Sequence, residues 1–275
     1  MVGAGLALDR PLVARMTAPR VYKVFLAIPN MGYTNPAAYD NRLLWAMRMG
    51  VEAERARWTN PAVRYEFFLG TVGKLLTPAA RDVLAERALA YGMDLLFMVD
   101  DDMLGEPDVF FRLAANVVDG PADICGALAF TRNPPYDPVL YTCIDGYDAV
   151  ERTGFFRNIP VYRYPKDRLV EVDAVGFGAV VFKASLLTQM KRPWFMNTSP
   201  TGEDILFCYN AKKQAGARIF SDTRVKLGHV GNPEIVTEEL YEAHNRLAER
   251  RARDGDDQKY PWDVLSATAA NGVGA

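Results

Sequence analysis

Leu95-Leu96-Phe97-Met98-Val99-Asp100-Asp101-Asp102-Met103 joins an unbroken apolar run to three consecutive acids. Apolar residues without alternation describe a strand buried on both faces, the habit of a parallel sheet rather than of a sheet wetted on one side. Adjacent carboxylates repel one another at neutral pH, so a folded chain keeps them where cations or hydrogen-bond donors compensate the charge. At the carboxyl end of a central strand, that place is the ligand crevice of an open α/β sheet. The triplet therefore reads as a strand-end metal and phosphate site. The plainer alternative is a solvated acidic turn in which Asp102 or a neighbour caps the next helix.

The pattern repeats outward from the triplet. Before it, Thr77-Pro78 starts a helix with Leu84, Ala88 and Tyr91 on one face and Gly92 at its end. After it, Pro107 opens a helix in which Phe110, Leu113 and Val117 recur at helical spacing, and Asp123 to Ala129 is a strand. Further upstream, Val21 to Ile28 is a strand stopped by Pro29-Asn30-Met31-Gly32. Residues 37–57 are helical with Leu44, Met47 and Val51 as one face, and Arg64 to Leu69 is a second strand. The first 130 residues thus spell β-α-β-α-β-α-β, an α/β class with a doubly wound, mostly parallel sheet.

The rhythm changes after Phe130. Pro134, Pro135, Pro138, Pro160 and Pro165 punctuate a stretch with no long apolar run, which reads as an inserted loop or hairpin region. Val172 to Phe182 returns to strand, with Gly176 and Gly178 where a backbone or ligand comes close. A helix follows from about Gly202 to Gln214, then an extended run that finishes at Gly228-His229-Val230-Gly231, then a charged helix from Glu238 to Arg253.

Composition bounds the function classes. A formal net charge of −2 gives no global drive toward nucleic acid or an anionic membrane. The 3 cysteines, Cys125, Cys143 and Cys208, show no CxxC spacing, and Cys125 and Cys208, in apolar surroundings, read as buried reduced thiols of a cytoplasmic-type compartment. Residues 1–20 carry scattered Arg and no continuous apolar core, so they read as a loose leader rather than a signal peptide. No window has the apolar length of a membrane span.

Three constellations carry chemistry. A hard divalent ion takes carboxylate oxygens, and Mn²⁺ accepts an imidazole as well. Two protein ligands and the oxygens of a diphosphate would fill such a shell. His229, between glycines at the end of an extended run, supplies the imidazole; by itself it would read as a hydrogen-bonded structural residue. Thr201-Gly202-Glu203-Asp204 opens a helix and has two compatible readings, a capping box or a general base at Asp204 kept ionised by the helix N-terminus. Arg81 with Lys74 stands at the start of the helix before the acidic strand, a place suited to a phosphate. Trp194 and Phe195 read as core or as an aromatic platform for an acceptor.

In this order, LLFMVDDDM, then GFGAVVFKASLL with WF and GEDILFCYNAKKQAG, then IFSDTRVKLGHVG, the chain resembles the GT-A fold of nucleotide-sugar-dependent glycosyltransferases, particularly the family 2-like members. The matching segments extend over roughly residues 21–231. The resemblance implies one GT-A catalytic domain over 21–232, with a nucleotide-binding half at 21–130 and an acceptor-binding half at 131–232. Residues 233–275 would form a C-terminal helix and tail. It implies that Asp102 and His229 bind Mn²⁺ or Mg²⁺, with Asp100 supporting the metal or contacting the donor ribose and Asp101 able to replace either neighbour. Pro29 would border the nucleotide base and Arg81 the phosphates of a nucleoside-diphosphate sugar, a UDP-sugar first among them. Asp204 would be the base of an inverting transfer, Glu203 would contact a sugar, and Gly176, Gly178 and Trp194 would lie on the acceptor side. The chain departs from the family pattern after its second strand: FFLGTVGK holds no acid where many relatives bind the base. The acceptor hydroxyl stays open among a saccharide, a small molecule and a modified nucleobase in DNA. Metal-dependent nucleotidyl transfer and a non-catalytic nucleotide-sugar-binding module are the competing readings.

Overall fold

The computed structural model describes residues 19–30, 35–59, 63–143, 156–158, 164–197, 201–231 and 235–253. The expected leader up to residue 18 and the tail after Arg253 lie outside the described residues. The elements run β1 (Arg20–Asn30), α1 (Pro36–Thr59), β2 (Val63–Gly73), α2 (Thr77–Ala90), β3 (Leu95–Val99), β4 (Met103–Leu104), α3 (Val109–Val118) and β5 (Ile124–Leu128). Then come β6 (Leu140–Cys143), β7 (Phe156–Asn158), β8 (Leu169–Val172), β9 (Ala174–Val175) and β10 (Ala179–Lys183). A 3₁₀ turn at Ala184–Gln189, α4 (Glu203–Ala215), β11 (Ile219–Lys226), β12 (Gly228–Val230), β13 (Ile235–Val236) and α5 (Glu238–Arg253) complete the chain.

A 7-stranded sheet in the order β2-β1-β3-β10-β5-β11-β8 is the backbone of this α/β fold. β2, β1, β3, β5 and β11 point one way, while β10 runs antiparallel between β3 and β5 and β8 runs antiparallel at the far edge. The alternation read from the first 130 residues is present, with one difference in pairing. β5 does not lie beside β3, because β10 enters between them from 50 residues further on and pairs with both. Every side chain of β3 and of β5 is buried, which is why both read as solid apolar runs.

Two apolar layers cover the sheet. Phe25, Leu84, Ala88, Leu96, Met98, Phe182 and Phe207 pack on the side of α2 and α4. Trp45, Phe97, Phe110, Leu113 and Val181 pack on the side of α1 and α3. Val236 and Tyr241 join the first layer, Tyr241 with its ring 5.2 Å from that of Phe130.

The expected inward face of α1 is corrected. Leu44, Met47 and Val51 point outward, Met47 being 68% exposed, and Ala38, Trp45 and Met49 point inward. Both stripes recur at helical spacing, so periodicity cannot choose between them; the partners of Trp45 do. Its ring lies 6.0 Å from Phe97, and its Nε1 donates to the Gly105 carbonyl at 2.8 Å. Asn41 exchanges two further hydrogen bonds of 2.9 Å with the backbone of Gly105. α1 thereby clamps the turn that follows the acidic triplet.

Candidate active site

β3 delivers the triplet to the carboxyl end of the sheet, and each acid leaves in a different direction. Asp100 continues the ladder, its N–H donating to the Gly178 carbonyl at 3.1 Å. Its carboxylate takes a 2.5 Å hydrogen bond from Nη2 of Arg81. Asp102 sits just before β4, which pairs antiparallel with β12 so that Met103 faces His229. The N–H of Val230 donates to the Asp102 carbonyl at 2.9 Å, and the two side chains meet with His229 Nε2 3.2 Å from Asp102 Oδ2. A short ladder thus joins positions 127 residues apart.

His229 is held from behind. Its Nδ1 donates to the Phe130 carbonyl at 2.7 Å, which aims Nε2 at Asp102. That arrangement, a carboxylate beside an imidazole whose far nitrogen is fixed by a backbone oxygen, fits a divalent cation completed by ligand oxygens. Burial works against ionisation of Asp102, but the hydrogen bond and charge of His229 and the charge of Arg132 outweigh it and hold the carboxyl below its ordinary range. Burial likewise lowers His229, and Asp102 more than reverses that, so the net shift is upward.

Asp100 departs from the expected metal set. Its carboxylate is turned to Arg81, and no group of three potential metal ligands occurs among the described residues. The pair Asp102 and His229 is what remains. In its company stands Arg132, whose guanidinium contacts both Asp102 and His229. Arg132 was not singled out by the sequence, since nothing local marks it.

Arg81 is 2% exposed and joins the two halves of the site. Nη2 holds Asp100, and Nη1 donates to Glu203 at 2.6 Å. The guanidinium also lies 5.2 Å from the centre of the Phe177 ring. α2 brings Arg81 here because Ala80, Leu84 and Ala88 bury its inner face and carry the residue beside Ala80 inward with them.

Glu203 and Asp204 open α4. The capping-box reading is overturned: the helix begins after Gly202, with no side-chain cap bond, and Asp204 Oδ1 instead accepts from the N–H of Ile205 at 2.8 Å. Asp204 is ionised at neutral pH as expected, but with its affinity for a proton raised rather than lowered. Burial raises its pKa to about 6, reinforced by Glu203 and Asp100 and opposed by Arg81 and the Ile205 N–H.

Pro29, Asn35, Thr77, Arg81, Asp100, Asp101, Asp102, Arg132, Glu203, Asp204, His229 and Val230 line one cleft of about 500 Å³. Arg42 of α1 adds a cation beneath it, reaching the Asp100 carbonyl at 3.4 Å and facing the charges of Asp101 and Asp102.

The three residues expected on the acceptor side are elsewhere. Trp194 is 3% exposed, with Nε1 donating to the Leu187 carbonyl at 2.9 Å. Its neighbour Phe195 stacks on Phe207 at 4.5 Å, and Asp82 accepts the N–H of both at 3.0 Å. They are core, placed by a polar anchor. A Cβ on Gly176 would stand 2.8 Å from Val139, and one on Gly178 3.0 Å from Met103, so both glycines serve close packing rather than ligand approach. Trp194→Ala is accordingly expected to cost about 3–5 kcal/mol of stability, measured by chemical denaturation. A loss confined to acceptor affinity would contradict the core assignment.

No protein-family model matches the chain, and comparison with curated proteins finds no match. Solved structures with a likeness to this one include A197 from STIV, 18% identical, with a TM-score of 0.46 over 76% of this chain and 85% of that one. GalNAc-T7 with UDP, GalNAc and Mn²⁺ is 11% identical, with a TM-score of 0.43 over 78% of this chain and 44% of that one. Apo UDP-glucose pyrophosphorylase is 11% identical, with a TM-score of 0.41 over 84% of this chain and 99% of that one. Among the described residues no helix is long and apolar enough to cross a membrane.

Proposed function

We propose that the chain transfers a glycosyl group from a nucleoside-diphosphate sugar, a UDP-sugar first among them, to a hydroxyl acceptor with inversion at the anomeric carbon. The observation that supports this best is the meeting of the Asp102–His229 pair and the Glu203–Asp204 pair in one cleft, tied together by Arg81. Glycosyl transfer requires two unlike devices: positive charge for a departing diphosphate, and a base for the attacking hydroxyl.

Asp102 and His229 would hold Mn²⁺ or Mg²⁺, which when bound supplies charge to the donor's diphosphate. Pro29 and the carboxylates of Asp100 and Asp101 line the donor side. Arg81 fixes Asp100 and Glu203 in place, and Glu203 would face a sugar hydroxyl. Asp204 takes the proton of the acceptor hydroxyl as that hydroxyl's oxygen forms the new bond to the anomeric carbon. The bond from that carbon to the phosphate oxygen breaks, and the diphosphate leaves with the electron pair. A carboxylate with a pKa near 6 is ionised at neutral pH yet basic enough to accept that proton.

The test is a panel of nucleotide sugars incubated with the protein and Mn²⁺, with acceptors of the saccharide, small-molecule and DNA classes. Metal-dependent release of nucleoside diphosphate, with a matching gain of sugar mass on an acceptor, is the expected result. Release of pyrophosphate, or exchange of pyrophosphate into nucleoside triphosphate, would replace glycosyl transfer by nucleotidyl transfer. Turnover indifferent to a chelator would remove the metal.

A further inference from the structure

Five carboxylates, Asp100, Asp101, Asp102, Glu203 and Asp204, line the cleft with Arg81 and Arg132. The cations differ in freedom. Arg81 is enclosed, with both Nη groups engaged by acids. Arg42 is half-buried under the triplet and held to the Asp100 backbone. Arg132 has a side chain 52% exposed, and its guanidinium spans the two groups that fit a divalent cation.

Its backbone is fixed, while its side chain is half exposed and held only at the guanidinium. Phe130 bridges Pro138, Thr131 N–H donates to the Asp137 carbonyl at 2.8 Å, and Tyr136 N–H donates to Asn133 at 2.9 Å. The same loop supplies the Phe130 carbonyl that orients His229. Arg132 and the imidazole therefore move as parts of one support, yet only the arginine has a side chain long and exposed enough to leave.

We propose that Arg132 is the counter-cation of Asp102 and His229, displaced from them by a divalent ion and then turned to a phosphate oxygen of the donor. The proposal rests on the glycosyltransferase reading for its second half only. A doubly charged ion outcompetes a delocalised guanidinium for a carboxylate and an imidazole nitrogen. A guanidinium released beside a diphosphate has a bidentate partner of opposite charge. Exchange of this kind keeps the acids compensated in both states.

The experiment measures Mn²⁺ alone binding to the full chain, by the electron spin resonance signal of free Mn²⁺, for the parent protein, Arg132→Ala and Arg132→Lys. Thermal melting checks that each variant is folded. Arg132→Ala is expected to bind Mn²⁺ about two- to fivefold more tightly, the scale of losing one competing exposed ion pair, with Arg132→Lys between. UDP binding is then measured by calorimetry in saturating Mn²⁺, where Arg132→Ala is expected to bind about tenfold more weakly and Arg132→Lys to recover part of the loss. Unchanged Mn²⁺ affinity in Arg132→Ala overturns the displacement. Unchanged UDP affinity overturns the phosphate contact. Tighter Mn²⁺ binding without Arg132, in a chain that binds UDP in no form, supports the counter-cation and sinks the donor reading.

Discussion

Asp204→Asn lowers transfer about 10²–10⁴-fold, the contribution of a positioned general base, while donor binding is retained. The side chain keeps its shape and can still face the Ile205 N–H, so the loss isolates proton acceptance. The pH profile of the parent protein carries the same signature. A base works ionised, and Asp204 has a pKa raised to about 6, so kcat/KM is level at neutral pH and falls about tenfold per unit below 6. Stability runs the opposite way. A carboxyl whose pKa is raised on folding from 3.8 to about 6 binds its proton more tightly in the folded chain. Its favourable contribution is complete below 3.8 and is lost as pH rises through 6. Asp204→Asn therefore melts higher than the parent at pH 7, and the gap closes toward pH 4. A variant that turns over normally, or that is less stable at pH 7, would make Asp204 a structural residue and call for another base.

The features legible in sequence are those written in short segments. β3, the triplet, the glycine-flanked His229 and the acidic start of α4 each announce themselves within about ten residues, because strand burial and helix starts are local matters. The triplet, His229 and the two acids that open α4 line one cleft. Strand order is another kind of information: β10 and β5 are equally apolar runs, and no periodicity says that β10 inserts beside β3. The same blindness explains α1, whose two apolar stripes are indistinguishable until Trp45 finds the Gly105 carbonyl.

Side-chain partners at long range were the least legible. Arg132 lies 30 residues from Asp102 and 97 from His229, in a proline-rich loop that resembles any other surface turn. Arg81 stood out as a cation at a helix start, but its bond to Glu203 crosses 122 residues. Aromatic side chains left two readings open. Trp194 and Phe195 before an acidic helix suit either core or a platform, and the Asp82 carboxylate, which receives both backbone N–H groups, shows why the pair turns inward.

Arg81→Met gives the largest change in stability expected of a single substitution at the site. Methionine fills the buried place of the arginine stem but leaves Asp100 and Glu203 without their shared cation. Removing one member of a buried charge cluster costs about 3–5 kcal/mol, because the remaining charges stay desolvated. The loss depends on pH in a definite direction. Arg81 pulls the pKa values of Asp204 and Asp100 down, and without it both are raised further. Groups with raised folded pKa values stabilise below their unfolded values and lose that contribution as pH rises. The deficit of Arg81→Met is therefore larger at pH 7 than at pH 5, and the acid limb of any remaining activity moves above 6. Neutralising the partners as well, in Arg81→Met with Asp100→Asn and Glu203→Gln, removes the stranded charges and restores most of the stability while leaving activity low. Urea denaturation at the two pH values decides the matter. A loss below about 1 kcal/mol, typical of exposed ion pairs, or one that does not change with pH, would mean that Arg81 is solvated in the folded chain and does not bind the two halves of the site together.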